Sequence, residues 1–331
     1  MIRRLLLAVA VVSLLLAALF AAWLRQRFGW PWIAAGLVGL STPLLLHGAI
    51  LAAQFTVSAA FRRAGGLHYP AGLAMRAWLG ELRASLRTFV LAQLRDAGRP
   101  LPSGAGDERM AVLLVHGYVC NHAIWRPFAD WLSRRGHRIE GVDLEPLFGS
   151  IDDYVAQLEQ AVARLQARNG GRPIAIVAHS MGGLAARAYL ARGAGADDTV
   201  AALITLGSPH RGTWSAQFAH GRNVAQMRPD SRWLAALSLA EDEAQRERFT
   251  IILSHHDNII VPQATQTLAG ARTHALIGRG HVQLAYDEEA WSLAAQAIDA
   301  AQARLAAQAS PAAQAPLSAR SPSAEPSARR A

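Results

Sequence analysis

The chain has 331 residues, 52% of them hydrophobic, and a positive mean hydropathy, more than a soluble domain usually carries, so a membrane part beside one domain of ordinary size is expected. A single cysteine, Cys120, excludes an internal disulfide framework. The net charge of +9 is unevenly spread. The first 106 residues hold 11 arginines against Glu81 and Asp96, whereas residues 107–300 hold 18 arginines against 21 acids. Positive charge beside apolar segments suits anionic lipid headgroups, and no basic stripe marks the rest of the chain, which argues against nucleic acid as a partner.

Arg3 and Arg4 precede an apolar run from Leu5 to Leu24, about the 20 residues a bilayer core requires. Trp23, Leu24 and Arg25 follow where a signal peptide would have a small-x-small cleavage site. A second run spans Ile33 to Ala53, with Trp30 and Trp32 as interfacial anchors, weakened by His47 and Gln54 and expected to kink at Pro43. Residues 1–60 therefore read as a hairpin of two membrane-spanning segments, the alternative being a buried helix of a soluble domain. Ala74 to Leu94 reads as an amphipathic helix, with Met75, Trp78, Leu79, Leu82, Leu86 and Phe89 on one face and Arg76, Arg83 and Arg87 on the other. Such a helix lies in the headgroup region or packs on the following domain. Asp96 to Asp107, rich in glycine and proline, reads as a flexible linker, so residues 61–106 form a connecting unit.

From Met110 the pattern alternates strand and helix. Ala111–Val115, Arg138–Val142, Pro173–Ala178, Val200–Leu206, Phe249–Leu253 and Thr273–Ile277 read as strands. Helices are expected over Trp125–Arg135, from a cap at Asp152 or Asp153 through Leu165, to Arg192 after the third strand, and over Val282–Leu305. Six β units alternating with helices imply an α/β fold with a mostly parallel doubly wound sheet over residues 107–308. The tail from about residue 309, with Ser310–Ala331 rich in Ala, Ser, Pro and Arg, is expected to be disordered.

Ile174 to Gly183 carries the chemistry. A short buried strand runs into Ser180 at a tight turn, and a helix opens on Gly182 and Gly183. That is the layout of a nucleophile elbow, in which the turn lifts a serine hydroxyl above the sheet. Gly182 is required because a side chain there would strike the neighbouring strand. Ala178-His179-Ser180-Met181-Gly182-Gly183, with His116-Gly117-Tyr118 and the loop Leu206–Thr213, resembles the lipase and esterase branch of the α/β-hydrolase superfamily, in particular compact bacterial triacylglycerol lipases and hydrolases of the GPI-inositol-deacylase type. The likeness covers roughly Asp107 to Ala306. It implies a minimal α/β-hydrolase fold, lacking the first two strands of larger members.

The resemblance also implies the order serine, acid, histidine along the chain. Asp257, after the fifth strand, lies in a segment like the acid loop of lipases, and His281 follows the sixth. All three would meet at the carboxyl edge of the sheet. His255 and His256 precede the acid and His274 begins a strand, while Asp287 and Glu288 come after the histidine and read as a solvated helix face. The backbone N–H groups of Met181 and Tyr118 are the expected oxyanion donors, with Gly117 allowing close approach. His116 reads as a structural hydrogen-bonding residue and His179 as support for the elbow. Residues 208–248 form a long insertion containing Trp214, Phe218, Trp233, Leu234, Leu237 and Leu239 and ending in Glu241-Asp242-Glu243. It is expected to be a cap or lid over an acyl pocket, ordinary core packing being the other explanation. No metal-ligand cluster stands at recognised spacing, Gln283 occupies the position where some bacterial lipases place a calcium aspartate, and no cofactor is called for.

Function is therefore expected to be ester hydrolysis on lipophilic substrates by a membrane-anchored serine hydrolase, in contact with membrane lipids. An acyltransferase using the same triad and a non-catalytic membrane-bound scaffold are the alternatives; protein partners are not indicated. Arg3, Arg4, Arg62, Arg63, Arg76, Arg83 and Arg87 outweigh Arg25 and Arg27, so the positive-inside rule predicts a domain on the cytoplasmic side of the inner membrane, or on the outer side if Ile33–Ala53 does not span.

Overall fold

The computed structural model describes residues 1–106, 108–192 and 199–309. The tail expected to be disordered lies outside the described residues. Six strands form one parallel sheet: β1 Val112–Val115, β2 Ile139–Val142, β3 Ile174–His179, β4 Val200–Leu206, β5 Phe249–Ser254 and β6 Arg272–Leu276, in the order β2-β1-β3-β4-β5-β6. β1, β3, β4 and β5 are buried along their whole length, which is why they read as continuous apolar runs rather than alternating ones. β6 is an edge strand and leaves Arg272 and Thr273 exposed.

Helices cover both faces. On one, α5 (Val155–Arg168) and α6 (Met181–Ala191) pack through Leu158, Val162, Leu165, Leu184 and Ala185. On the other, α4 (Arg126–Ser133) and α7 (Glu288–Ala309) meet over Trp125, Phe128, Trp291 and Ile298. Two helix starts differ from the sequence expectation. Ser150, not Asp152 or Asp153, caps the turn leading into α5, with its hydroxyl accepting from Asp152 N–H and Asp153 reaching back to Ser150 N–H. The last helix does not begin at Val282. Val282–Tyr286 is a short 3₁₀ turn, and Asp287 breaks it by accepting from Ala290 N–H as the start of α7.

Ahead of the sheet lie three long helices. α1 (Ile2–Phe28) and α2 (Trp32–Ala64) are both long and apolar enough to cross a membrane. They run antiparallel as a hairpin. Gly39 lets them approach, since a Cβ there would lie 2.5 Å from the Ala17 carbonyl oxygen, and Ala21, Leu24 and Ala35 pack at the same seam. α2 continues through Pro43, with the Thr42 hydroxyl bonded to the Val38 carbonyl beside the proline. It also runs eleven residues past Ala53, and that extension docks on the sheet domain.

α3 (Ala71–Leu86) passes through a π-helical turn, Arg87–Ala92, to Arg95. Its most deeply buried face carries small and polar residues, and of the apolar face read from the sequence Trp78, Leu82, Leu86 and Phe89 are half-buried beside it. Ala77, Glu81, Ala84, Ser85 and Thr88 face inward, while Met75, Leu79, Val90 and Leu91 are exposed. Small residues allow close packing of the helix on the sheet domain, and Thr88 bonds the Tyr286 hydroxyl at 2.8 Å. The glycine- and proline-rich stretch 96–106 is a packed strap rather than a free linker. Leu101 is buried, Gly104 N–H bonds the His137 carbonyl, and Ser103 Oγ accepts from Ile139 N–H.

Candidate active site

The elbow is built by local backbone. Ser180, between β3 and α6, has φ 56° and ψ −129°, a strained conformation that a surrounding scaffold must hold. The scaffold leaves room for nothing larger at the flanking glycine: a Cβ on Gly182 would sit 2.4 Å from the His116 carbonyl oxygen. Gly117 brings the loop after β1 equally close, because a Cβ there would lie 2.8 Å from Ser180 Cβ.

Ser180, His281 and Asp257 stand in one hydrogen-bonded line. Ser180 Oγ is 3.0 Å from His281 Nε2, and His281 Nδ1 is 2.8 Å from Asp257 Oδ2. The other oxygen of Asp257 accepts from the N–H groups of Ile259 and Ile260 at 2.8 and 2.7 Å, so the carboxylate is fixed from both sides. His281 N–H donates to Asn258 Oδ1. Burial alone would lower the His281 pKa; the charge and hydrogen bond of Asp257, with the charge of Glu81, more than reverse this and raise it. Such a line moves a proton from a hydroxyl to an imidazole at low cost.

The neighbouring histidines are held elsewhere. His116 accepts from Leu144 N–H through Nε2, a structural role as expected. His179 bonds the His281 carbonyl at 3.0 Å rather than the elbow turn, and burial, with the His281 charge, lowers its pKa to about 3. His255 contacts the Tyr69 hydroxyl, and His256 accepts from Gly278 N–H. Asp287 accepts from Ala290 N–H and is paired with Arg279 at 3.0 Å, so it is a helix cap rather than part of a solvated face. Among the described residues no cluster of metal-ligating side chains occurs.

An apolar cavity of about 570 Å³ opens on Ser180. One wall is the insertion, with Trp214, Phe218, Val224 and Met227. The facing wall is α2, through Ile50, Ala53 and Val57. Trp214 and Phe218 meet edge to face at 4.8 Å, and Phe61 of α2 lies 5.5 Å from Trp214. Other aromatic and aliphatic residues of the insertion serve the core instead: Leu234 and Leu237 are buried there, and Trp233 donates to Asp152. A smaller cavity of about 300 Å³ opens on the other side of Ser180, between α2, α3 and the loop after β1.

Residues 111–235 match the family described as alpha/beta hydrolase fold. The solved Bacillus licheniformis lipase BlEst2 in mature form is similar over 61% of this chain and 96% of its own, at 15% identity and a TM-score of 0.52. Aspergillus fumigatus lipase B matches 60% of this chain at 19% identity and a TM-score of 0.52; the match spans 54% of that lipase. The chain has the α/β-hydrolase fold. At these identities the likeness is one of fold, and the hydrolase scaffold explains why strand ends β3, β5 and β6 deliver Ser180, Asp257 and His281 to one edge.

Several residues that touch this site come from outside that scaffold and were not singled out as site residues in the sequence. Ser58 of α2 donates to the Asp257 carbonyl at 2.6 Å, Gln263 donates to Ser58 Oγ, and Asn258 donates to Gln54 Oε1. Glu81 of α3 reaches the loop that follows His281. The available signals were Gln54 and Ser58 just past an apolar run, and one of two acids among eleven arginines.

Proposed function

We propose that this protein is a membrane-anchored serine hydrolase that cleaves carboxylic esters of lipophilic substrates. The observation that carries the reading is the Ser180–His281–Asp257 line opening on an apolar cavity. Ser180 attacks the ester carbonyl carbon while its proton passes to His281 Nε2, and Asp257 holds the imidazole and stabilises its charge. Backbone N–H groups of Met181 and Tyr118 receive the developing oxyanion. His281 then gives its proton to the leaving alcohol, and water repeats the sequence on acyl-Ser180. The alkyl chain lies between Trp214 and α2.

Membrane anchoring is supported by α1 and α2. The stretch from Trp32 to Gln54 is 23 residues, roughly 35 Å of helix, close to the hydrocarbon thickness of a bilayer. Gln54 then stands at the near interface, where α2 meets the acid loop, and the mouth of the cavity lies at the lipid surface. The arginine distribution supports a cytoplasmic domain. Acyl transfer to an alcohol acceptor is the second reading, favoured by the smaller cavity across Ser180. A chain-length series of p-nitrophenyl esters on the detergent-solubilised full chain tests the main reading. Activity rising from acetate to medium chains and lost in Ser180→Ala is expected; activity confined to acetate, or retained in Ser180→Ala, contradicts it. Added alcohol acceptors with product analysis separate transfer from hydrolysis.

A further inference from the structure

Glu81 is the one carboxylate of α3, and it is 1% exposed. Both of its oxygens are occupied by backbone: Oε1 accepts from Val282 N–H at 3.0 Å and Oε2 from Gln283 N–H at 2.9 Å. These are the first two N–H groups of the turn that follows His281, which are left without partners inside the turn itself. The residue before such a turn ordinarily caps it with its side chain. His281 stands in that place, and its ring is committed to Ser180 and Asp257. Glu81 supplies the missing acceptor from a helix 200 residues away in sequence.

The fit is close on both sides. A Cβ on Gly280 would lie 2.5 Å from Glu81 Oε2 and 2.6 Å from its Cβ, so the loop meets α3 with bare backbone. Gly280 N–H is bonded to Gln283 Oε1, and His281 N–H to Asn258, so the carboxylate closes the last free edge of the loop. The charged groups around it are few. His281 and Asp257 face it from the sheet edge. Arg279 turns away to Asp287 and Glu289, Arg76 and Arg83 on the same helix are exposed, and His47 of α2 is bonded to Ser85. Burial pushes the Glu81 carboxyl up to about 7, while His281 and the two N–H groups pull the other way. When ionised it raises the His281 pKa alongside Asp257.

We propose that Glu81 is a positioning residue for His281: clamped on Val282 and Gln283 N–H, it holds the histidine loop in register with Ser180 and, when ionised, adds a second negative charge near the imidazolium, so that the site is complete only when α3 is docked. The inference rests on the reading of His281 as the base. Glu81 takes no proton in the reaction; the Ser180 proton stays on His281 Nε2 until the leaving alcohol receives it.

The test compares full-length wild type, Glu81→Gln and Glu81→Ala in detergent, measuring kcat and KM on a p-nitrophenyl ester across pH, with fluorophosphonate labelling to count competent sites. Removing the hydrogen-bonding partners that orient metal-ligating side chains lowers activity by roughly 10–100-fold, and the same scale is taken for a group that orients the loop of a catalytic base. Glu81→Gln is expected at the low end and Glu81→Ala at the high end, in kcat per labelled site, with KM nearly unchanged. Where Glu81 is ionised in the wild type, the acid limb of the variants should lie at lower pH, because His281 has lost a neighbouring negative charge. Wild-type kcat per labelled site with an unmoved acid limb in Glu81→Gln, or a loss wholly accounted for by fewer labelled sites, would overturn the proposal. A wild type that is not labelled at Ser180 would instead remove the reading of the site on which it stands.

Discussion

Glu241 of the insertion forms a fully buried ion pair with Arg187 of α6, and cutting it should unfold the hydrolase domain more readily than truncating the insertion's exposed Phe218. Arg187 Nε and Nη2 donate to Glu241 Oε1 and Oε2 at 2.6 and 2.9 Å, and both side chains are 0% exposed. The Arg187 fork also donates to the His210 carbonyl at 3.0 Å, so the pair ties α6, the loop after β4 and the end of the insertion together. Glu241→Ala removes both bonds from Arg187 and a third from Arg246, leaving a buried guanidinium with no counter-charge, held by the carbonyl and Nδ1 of His210. Breaking a buried pair by deleting one partner costs about 3–5 kcal/mol, which for a domain of this size is a drop in Tm of roughly 6–20 °C. Arg187→Met with Glu241→Leu should recover most of that loss, since an apolar replacement of similar volume leaves no unpaired charge. The assay is thermal or denaturant unfolding in detergent with ester hydrolysis followed in parallel. A cost below about 1 kcal/mol for Glu241→Ala, or a double variant as unstable as the single one, would refute the reasoning.

Gly182→Ala should abolish ester hydrolysis, since its Cβ would have to displace the His116 carbonyl from 2.4 Å; near-normal kcat would mean the elbow has slack the structure does not show. The base must be neutral to accept the Ser180 proton, and the His281 pKa is raised above its ordinary 6.5, so kcat/KM should fall as pH drops through a midpoint above 6.5. A midpoint below that value would contradict the electrostatics of the Asp257 contact. Ala53→Trp, which fills the cavity from the α2 wall, should shift the preferred p-nitrophenyl ester to shorter chains with acetate hydrolysis little changed; an unaltered profile would place the acyl chain elsewhere.

How much of this was legible in the sequence depends on how local the cause is. The elbow is written in six consecutive residues, and Asp257 and His281 each follow an apolar strand, so the line of three could be read without coordinates. Helix starts were less legible. Ser150, Asp152 and Asp153 are all good caps by residue type, and only the reciprocal bond between Ser150 and Asp153 selects one. The 96–106 strap has the composition of a free linker, and composition does not tell where Gly104 N–H or Ser103 Oγ will find partners. The amphipathic reading of α3 weighed apolar side chains, whereas the face that docks carries Ala77, Ala84 and Ser85 around Glu81. What escaped entirely was the contribution of α2 and α3 to the site. Ser58 meets Asp257 across 199 residues, and Glu81 meets Val282 across 201; no periodicity or spacing in the sequence encodes such contacts.

The central claim is that Ser180 is an activated nucleophile in a membrane-borne hydrolase, and covalent labelling tests it most directly. Membranes containing the full chain, treated with a serine-directed fluorophosphonate and analysed by peptide mass spectrometry, should carry one adduct, on the peptide containing Ser180. Labelling should vanish in Ser180→Ala and slow sharply in His281→Ala. An unlabelled wild type, or an adduct that persists on another residue when Ser180 is removed, would contradict the account.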